Sequence, residues 1–173
     1  INNAKEAGLR AAYVAVEDAY SRRLQEFYQA YESQCQKEGA VDFAELLLRC
    51  YELLNRNEIL CRHYRERFQH ILVDEFQDTN PLQYKWLKLL AGAGSQNAAA
   101  VFAVGDDDQS IYAFRGAYTG NMRDFEHDFG ITRIIKLEQN YRSHGNILDA
   151  ANALIENNSE RLGKNLWTAE GKG

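Results

Sequence analysis

The chain has 173 residues, enough for one modest domain with its own core, or for one domain and a piece of another. Hydrophobic residues make up 45% and charged residues 26%, an ordinary balance for a soluble protein, and no apolar run nears the roughly 18 residues of a membrane-spanning helix. A net charge of −5 argues against a dedicated nucleic-acid-binding module, which is basic, but leaves open a motor that grips DNA locally by stacking.

The cysteines, Cys35, Cys50 and Cys61, are odd in number and form no CxxC pair, and the histidines are scattered. This argues against a disulfide framework or zinc site and for a reducing, cytoplasmic setting. The N-terminal INNAKEAGLR has neither an initiator Met nor a signal-peptide core, so the chain is expected to start inside a longer protein.

The first predicted element is a long helix over residues 14–38, with Val16, Tyr20, Leu24, Phe27, Tyr28, Tyr31 and Cys35 at helical spacing and Gly39 as its stop. A second helix is expected after Asp42. That residue caps it, Glu45 follows three residues on, and Val41 and Leu46 are placed to staple the entry. Its expected inward face is Phe43, Leu46, Leu47, Cys50 and Leu54, and a third helix is expected over 58–67.

The pattern then changes period. His70 to Asp74 is a short apolar run ending in acid, as buried parallel strands do. Asn80 and Pro81 open the next helix, which should turn Trp86, Leu87 and Leu90 to the sheet. A second strand is predicted over Ala98–Val104, a helix over 120–128, and a third strand over Arg133–Leu137. A last helix should run from about residue 144 with Ile147, Leu148, Ala151, Leu154 and Ile155 inward. Strands alternating with helices predict an α/β fold with a parallel sheet. A domain boundary is expected between Gly130 and Ile134, because the residues after it hold too little for a separate core.

Three segments carry chemistry. ILVDEFQDTN, residues 71–80, brings Asp74 and Glu75 to the C-terminal edge of a strand, the ligand-binding rim of an α/β sheet. There Asp74 suits a hard cation such as Mg²⁺, which prefers oxygen ligands and is held through retained water, and Glu75 suits a base that deprotonates attacking water. VGDDDQSIYAFRGA, residues 104–117, lands on the same rim. Gln109 is a neutral group that can bond a phosphate oxygen, while Tyr112, Phe114 and Arg115 put two rings and a guanidinium within four residues, suited to stacked bases and a phosphate. The run of three acids there is expected to serve function, since mutual repulsion gains a turn nothing. LEQNYRS, residues 137–143, sets Arg142 beside Tyr141 just past a strand, where it could reach a phosphate.

DEFQDTN, GDDDQSIY and QNYRS in this order closely resemble motifs II, III and IV of superfamily 1A helicases, the UvrD/Rep/PcrA family of DNA-unwinding motors. VDFAELLLR at 41–49 and ALIENNSERLGKNLW at 153–167 are similar to the same family. The resemblance implies a RecA-like (P-loop NTPase) parallel sheet with helices on both faces. It divides the chain into residues 1–40 (tail of an inserted helical domain), 41–131 (C-terminal part of a first RecA-like domain) and 132–173 (beginning of a second).

It implies ATP and Mg²⁺ as cofactors. Asp74 would hold Mg²⁺ with Glu75 beside it as catalytic base. Gln109 would sense the γ-phosphate, Tyr141 would pack on adenine, and Arg142 would reach the γ-phosphate from the second domain. Tyr112, Phe114 and Arg115 would contact single-stranded DNA. The implied partners are single-stranded and partly duplex DNA and DNA-repair proteins, with no membrane. The implied activity is 3′-to-5′ unwinding in the cytoplasm.

Phe114 stands where this family usually has Trp, and Ala113 where it has Gly, so stacking is expected to be weaker. AGAGS at 91–95 does not complete the phosphate loop GxxxxGK followed by Ser or Thr, and it follows a helix rather than a strand. It is read as a helix stop. The true loop is expected upstream of Ile1, and the chain alone is expected to be inactive. Two other readings stay open: the helicase part of a RecB/AddA-like helicase-nuclease, and a non-catalytic DNA-binding module.

Overall fold

Asp18 decides where the first long helix begins. Its carboxylate accepts from the Ser21 backbone N–H at 2.7 Å while the Ser21 hydroxyl accepts from the Asp18 N–H at 2.9 Å, so both ends of a capping box are closed. In this computed structural model, which describes residues 1–95, 97–118, 120–158 and 163–173, α2 therefore spans Ala19–Glu38, not 14–38. A five-residue α1, Asn2–Glu6, and a 3₁₀ turn, Ala11–Tyr13, precede it. Gly39 ends α2 in the left-handed region at φ 65°, as expected. The apolar stripe read for α2 is not a core face: Tyr28 is buried, whereas Tyr20 and Phe27 are exposed.

Asp42 caps α3, Phe43–Arg56, through the Glu45 N–H at 2.7 Å. The expected inward face is corrected. Phe43, Leu46 and Cys50 are exposed, as is Val41; Leu54 is buried as expected, but the helix buries Glu45 and Leu48 beside it. The reason is electrostatic. Lys5, 2% exposed, reaches Asp42 and Glu45 at 2.8 Å each, and Arg10 reaches Glu32, Glu45 and Glu52 at 3.1, 2.7 and 2.8 Å. A buried cation is tolerated only beside buried anions, so this network turns the charged side of α3 inward. Burial alone would raise the Glu45 carboxyl, but hydrogen bonds from Lys5, Arg49 and Arg10 outweigh it and hold the pKa at about 2.

Helix α4 spans Glu58–Arg67 and strand β1 His70–Val73. Helix α5, Pro81–Ala91, starts on a capping box of Asn80 and Gln83, and Gly92 stops it at φ 64°. It buries Leu82, Tyr84, Leu87 and Leu90, while Trp86 is only half-buried. Strand β2, Ala100–Ala103, pairs with β1 in parallel, from His70 opposite Ala100 to Val73 opposite Ala103. One face of this pair packs Ile71, Val73, Val101 and Ala103 against Phe76, Tyr84 and Leu87 and against Phe125 and Met122 of α6, Gly120–Asp128.

The other face is open, with Leu72 78% and Phe102 58% exposed. Helices on both faces are therefore not seen among the described residues. The architecture is mostly helical with a small parallel two-stranded sheet. The third strand expected over Arg133–Leu137 does not form. A strand exists by its hydrogen-bonded ladder, and residues 133–137 have no ladder partner among the described residues. They line a cleft with Val101–Asp107, and Ile134, Ile135 and Leu137 stay exposed. Beyond them, Gln139 and Trp167 form an isolated parallel bridge. Helix α7, Gly145–Ile155, buries Leu148 but leaves Ile147 and Leu154 exposed, against the inward face expected of it. No helix among the described residues is long and apolar enough to cross a membrane.

Candidate functional site

Because β1 and β2 are parallel and in register, Asp74-Glu75 and Gly105-Asp106 leave the sheet at the same edge. Two further backbone bonds lace these exits: the Val104 N–H donates to Val73 O at 2.8 Å, and the Phe76 N–H donates to Val104 O at 2.9 Å. Glu75 sits at φ 50°, and it is the only non-glycine residue at positive φ among those described. Holding a glutamate there costs about 1–3 kcal/mol, and the bonds around it must maintain it.

Gln77 supplies two of them. Its side chain is 1% exposed. Its Nε2 donates to Glu75 Oε2 at 2.7 Å, and its Oε1 accepts from the Asp106 N–H at 2.9 Å. Gly105 makes room for this amide: a Cβ there would lie 2.9 Å from Gln77 Oε1 and 3.2 Å from Gln77 N.

Asp106 continues the connection. Its Oδ1 accepts from the Asp108 N–H at 3.2 Å, and its Oδ2 accepts from Gln109 Nε2 at 2.6 Å. Lys164, from the stretch after α7, forms an ion pair with the same Oδ2. Burial alone would raise the Asp106 pKa, but the hydrogen bonds from Lys164 and Gln109 outweigh it and keep the carboxyl below its ordinary value. The run of acids is thus partly structural, because Asp106 caps the 3₁₀ turn Asp107–Gln109 and balances a lysine. The carboxylates of Asp106, Asp107 and Asp108 lie within 4.8 Å of one another.

The structure brings Glu75 and Gln109 into one hydrogen-bonded unit through Gln77 and Asp106. Asp74 is exposed beside it, with Oδ1 accepting from the Glu75 N–H at 3.0 Å. Tyr112 and Phe114 lie side by side, with ring centroids 5.9 Å apart and planes at 51°. Phe114 is 73% exposed, which removes it from the core. The Arg115 side chain lies outside the described residues.

Tyr141 and Arg142 are not joined to this unit. The Tyr141 hydroxyl donates to Gln139 Oε1 at 2.9 Å, and the exposed Arg142 guanidinium has no hydrogen bond or ion pair among the described residues. Sequence reasoning passed over Gln77, Asp106 and Lys164. The first two lie inside quoted motifs, where a buried amide between acids was the available signal. Lys164 lies in the quoted stretch 153–167, but nothing there marked its role, which depends on a contact 58 positions away in the chain.

The family described as UvrD/REP helicase N-terminal domain matches residues 1–130. The chain belongs to the UvrD/REP helicase family. It is 54% identical to DNA helicase II of Haemophilus influenzae over 176 aligned residues, covering 100% of the chain and 23% of that relative. It is 56% identical to DNA helicase II of Escherichia coli K12 over 170 residues, covering 97% of the chain and 23% of that protein. It is 42% identical to the ATP-dependent DNA helicase PcrA of Leuconostoc citreum, again over 23% of the relative. This UvrD/REP segment thus spans about a quarter of the length of the curated relatives it matches. Within it, Asp74, Glu75, Gln109, Tyr112, Phe114 and Arg115 fall inside the matched 1–130, whereas Tyr141 and Arg142 fall beyond.

Proposed function

We propose that this UvrD/REP segment is part of an ATP-driven 3′-to-5′ DNA helicase that couples ATP hydrolysis to movement along single-stranded DNA in cytoplasmic DNA repair. The observation that carries the reading is the hydrogen-bonded link from Glu75 through Gln77 and Asp106 to Gln109, which makes two chemically equipped loops one rigid edge. The names of the relatives, DNA helicase II and ATP-dependent DNA helicase PcrA, support it.

In this reading residues 1–40 end an inserted helical domain, 41–131 belong to a first RecA-like domain and 132–173 open a second; the family match ends at residue 130, beside the second of these boundaries. The exposed carboxylates of Asp74 and Glu75 at the strand edge are hard oxygen donors and fit Mg²⁺. Asp74 would hold it, with Glu75 alongside, and Mg²⁺ bound there supplies positive charge against the phosphates of ATP.

Glu75 accepts the proton of the attacking water, and the Gln77 amide fixes which carboxylate oxygen faces away from that water. Gln109 and Arg142 contact the γ-phosphate, and Tyr141 packs on adenine. Tyr112, Phe114 and Arg115 hold single-stranded DNA, and Phe114 is exposed enough to stack. The test is Glu75→Gln in the full-length protein. ATP and Mg²⁺ binding should persist while DNA-stimulated turnover falls by at least about 10²-fold, the scale of one general base. Turnover within a few-fold of wild type would remove Glu75 from the role of base.

A further inference from the structure

One carboxylate oxygen, Asp106 Oδ2, serves two donors: Gln109 Nε2 at 2.6 Å and the Lys164 ammonium. The two compete for the same lone pairs. Their side chains come from distant stretches of chain, and both Asp106 and Lys164 are mostly shielded, at 19% and 22% exposed. Lys136 Nζ donates to Gly163 O, which holds the Lys164 stretch beside the exit of β2. Gly163, Lys164, Asp106 and Asp107 line the same cleft of about 480 Å³.

We propose that Lys164 is a positioning residue for ATP hydrolysis: its ion pair with Asp106 weakens Asp106's hold on the Gln109 amide and leaves that amide able to turn to a phosphate oxygen. This rests on the function proposed above. A hydrogen bond to a full carboxylate is about twice as strong as one between neutral groups. With Lys164 in place, part of the Asp106 charge is already spent. Without it, the half-buried carboxylate keeps Gln109 as a principal side-chain donor, and each turnover must break a stronger bond. Lys164 thereby ties the stretch after α7 to the readiness of Gln109, although it lies outside all three motifs.

The experiment uses the full-length protein and measures DNA-stimulated ATP turnover against ATP concentration, with single-stranded DNA affinity in parallel. Lys164→Met should lower kcat about fivefold, the gap between a charge-assisted and a neutral hydrogen bond. KM for ATP and DNA affinity should stay within about twofold, because no contact to either is removed. Lys164→Arg should restore most of kcat, since it keeps the charge. Asp106→Asn placed in the Lys164→Met background should also recover most of it, because a neutral amide oxygen releases Gln109. A purely structural ion pair gives the opposite result, with the double variant as slow as Lys164→Met or slower, and that overturns the proposal. So does a Lys164→Met kcat within about twofold of wild type. Gln109→Ala separates the two levels. If it retains wild-type turnover, the assignment of Gln109 itself has failed, whatever Lys164 does.

Discussion

Glu45→Gln probes the charge network that turned α3 around. Glu45 is 4% exposed and accepts from Lys5, Arg10 and Arg49. Its carboxyl is held at about 2 against an ordinary 4.5. At about 1.4 kcal/mol per pKa unit, that depression corresponds to about 3 kcal/mol of stability. Because the folded pKa is the lower one, the stability is fully present above pH 4.5 and is lost as pH falls toward 2.

Lys5 keeps Asp42, and Arg10 keeps Glu32 and Glu52, so neither cation is stranded by the substitution. The cost at pH 7 should therefore be about 3 kcal/mol, at the low end for breaking a buried pair. Urea denaturation of the chain and of its Glu45→Gln variant, followed by circular dichroism at pH 7 and pH 3, measures it. The difference should shrink to roughly half at pH 3, where the carboxyl is already mostly protonated in the unfolded chain but still ionised in the folded one. An equal penalty at both pH values would mean that Glu45 acts by shape rather than charge. A penalty below about 1 kcal/mol at pH 7 would mean the network contributes no more than surface pairs do.

Two further substitutions test the proposed site in the full-length protein. Arg142→Ala should lower DNA-stimulated turnover by about 10³-fold or more and leave nucleotide-free DNA affinity unchanged, while Arg142→Lys, lacking the planar fork, should rescue poorly; a collapse of DNA binding with normal turnover would make Arg142 a DNA contact. Phe114→Ala should weaken single-stranded DNA binding by about 1–3 kcal/mol, the range for one stacked base, and Phe114→Trp should strengthen it; titration of a labelled oligonucleotide reads both, and unchanged affinity in Phe114→Ala would return Phe114 to an ordinary exposed side chain.

Local signals fixed the elements that local forces control. Asp42, Asn80 and Gly39 carry their caps within three or four residues, so the start of α3, the start of α5 and the end of α2 were readable from the chain. The run from His70 ending at Asp74, and the DE and GDDDQ segments behind strands, were readable too, because a strand end and its acidic edge are adjacent in sequence. Asp18 was overlooked as a cap because the apolar spacing upstream of it mimicked more helix, although the deciding bonds to Ser21 are just as local.

What the tertiary structure alone decided is which side of an element faces inward and which polar groups meet. The inward face of α3 depended on Lys5 and Arg10, 35 or more positions away from the carboxylates of Asp42, Glu45 and Glu52 that receive them. The third strand depended on a ladder partner that residues 133–137 lack among those described. The link of Glu75 to Gln109 runs through Gln77 and Asp106, and Asp106 also meets Lys164. Each of these junctions is set by through-space distance, and the free energy of a buried hydrogen bond or ion pair depends on that distance and on shielding from water, neither of which a linear order of residues records.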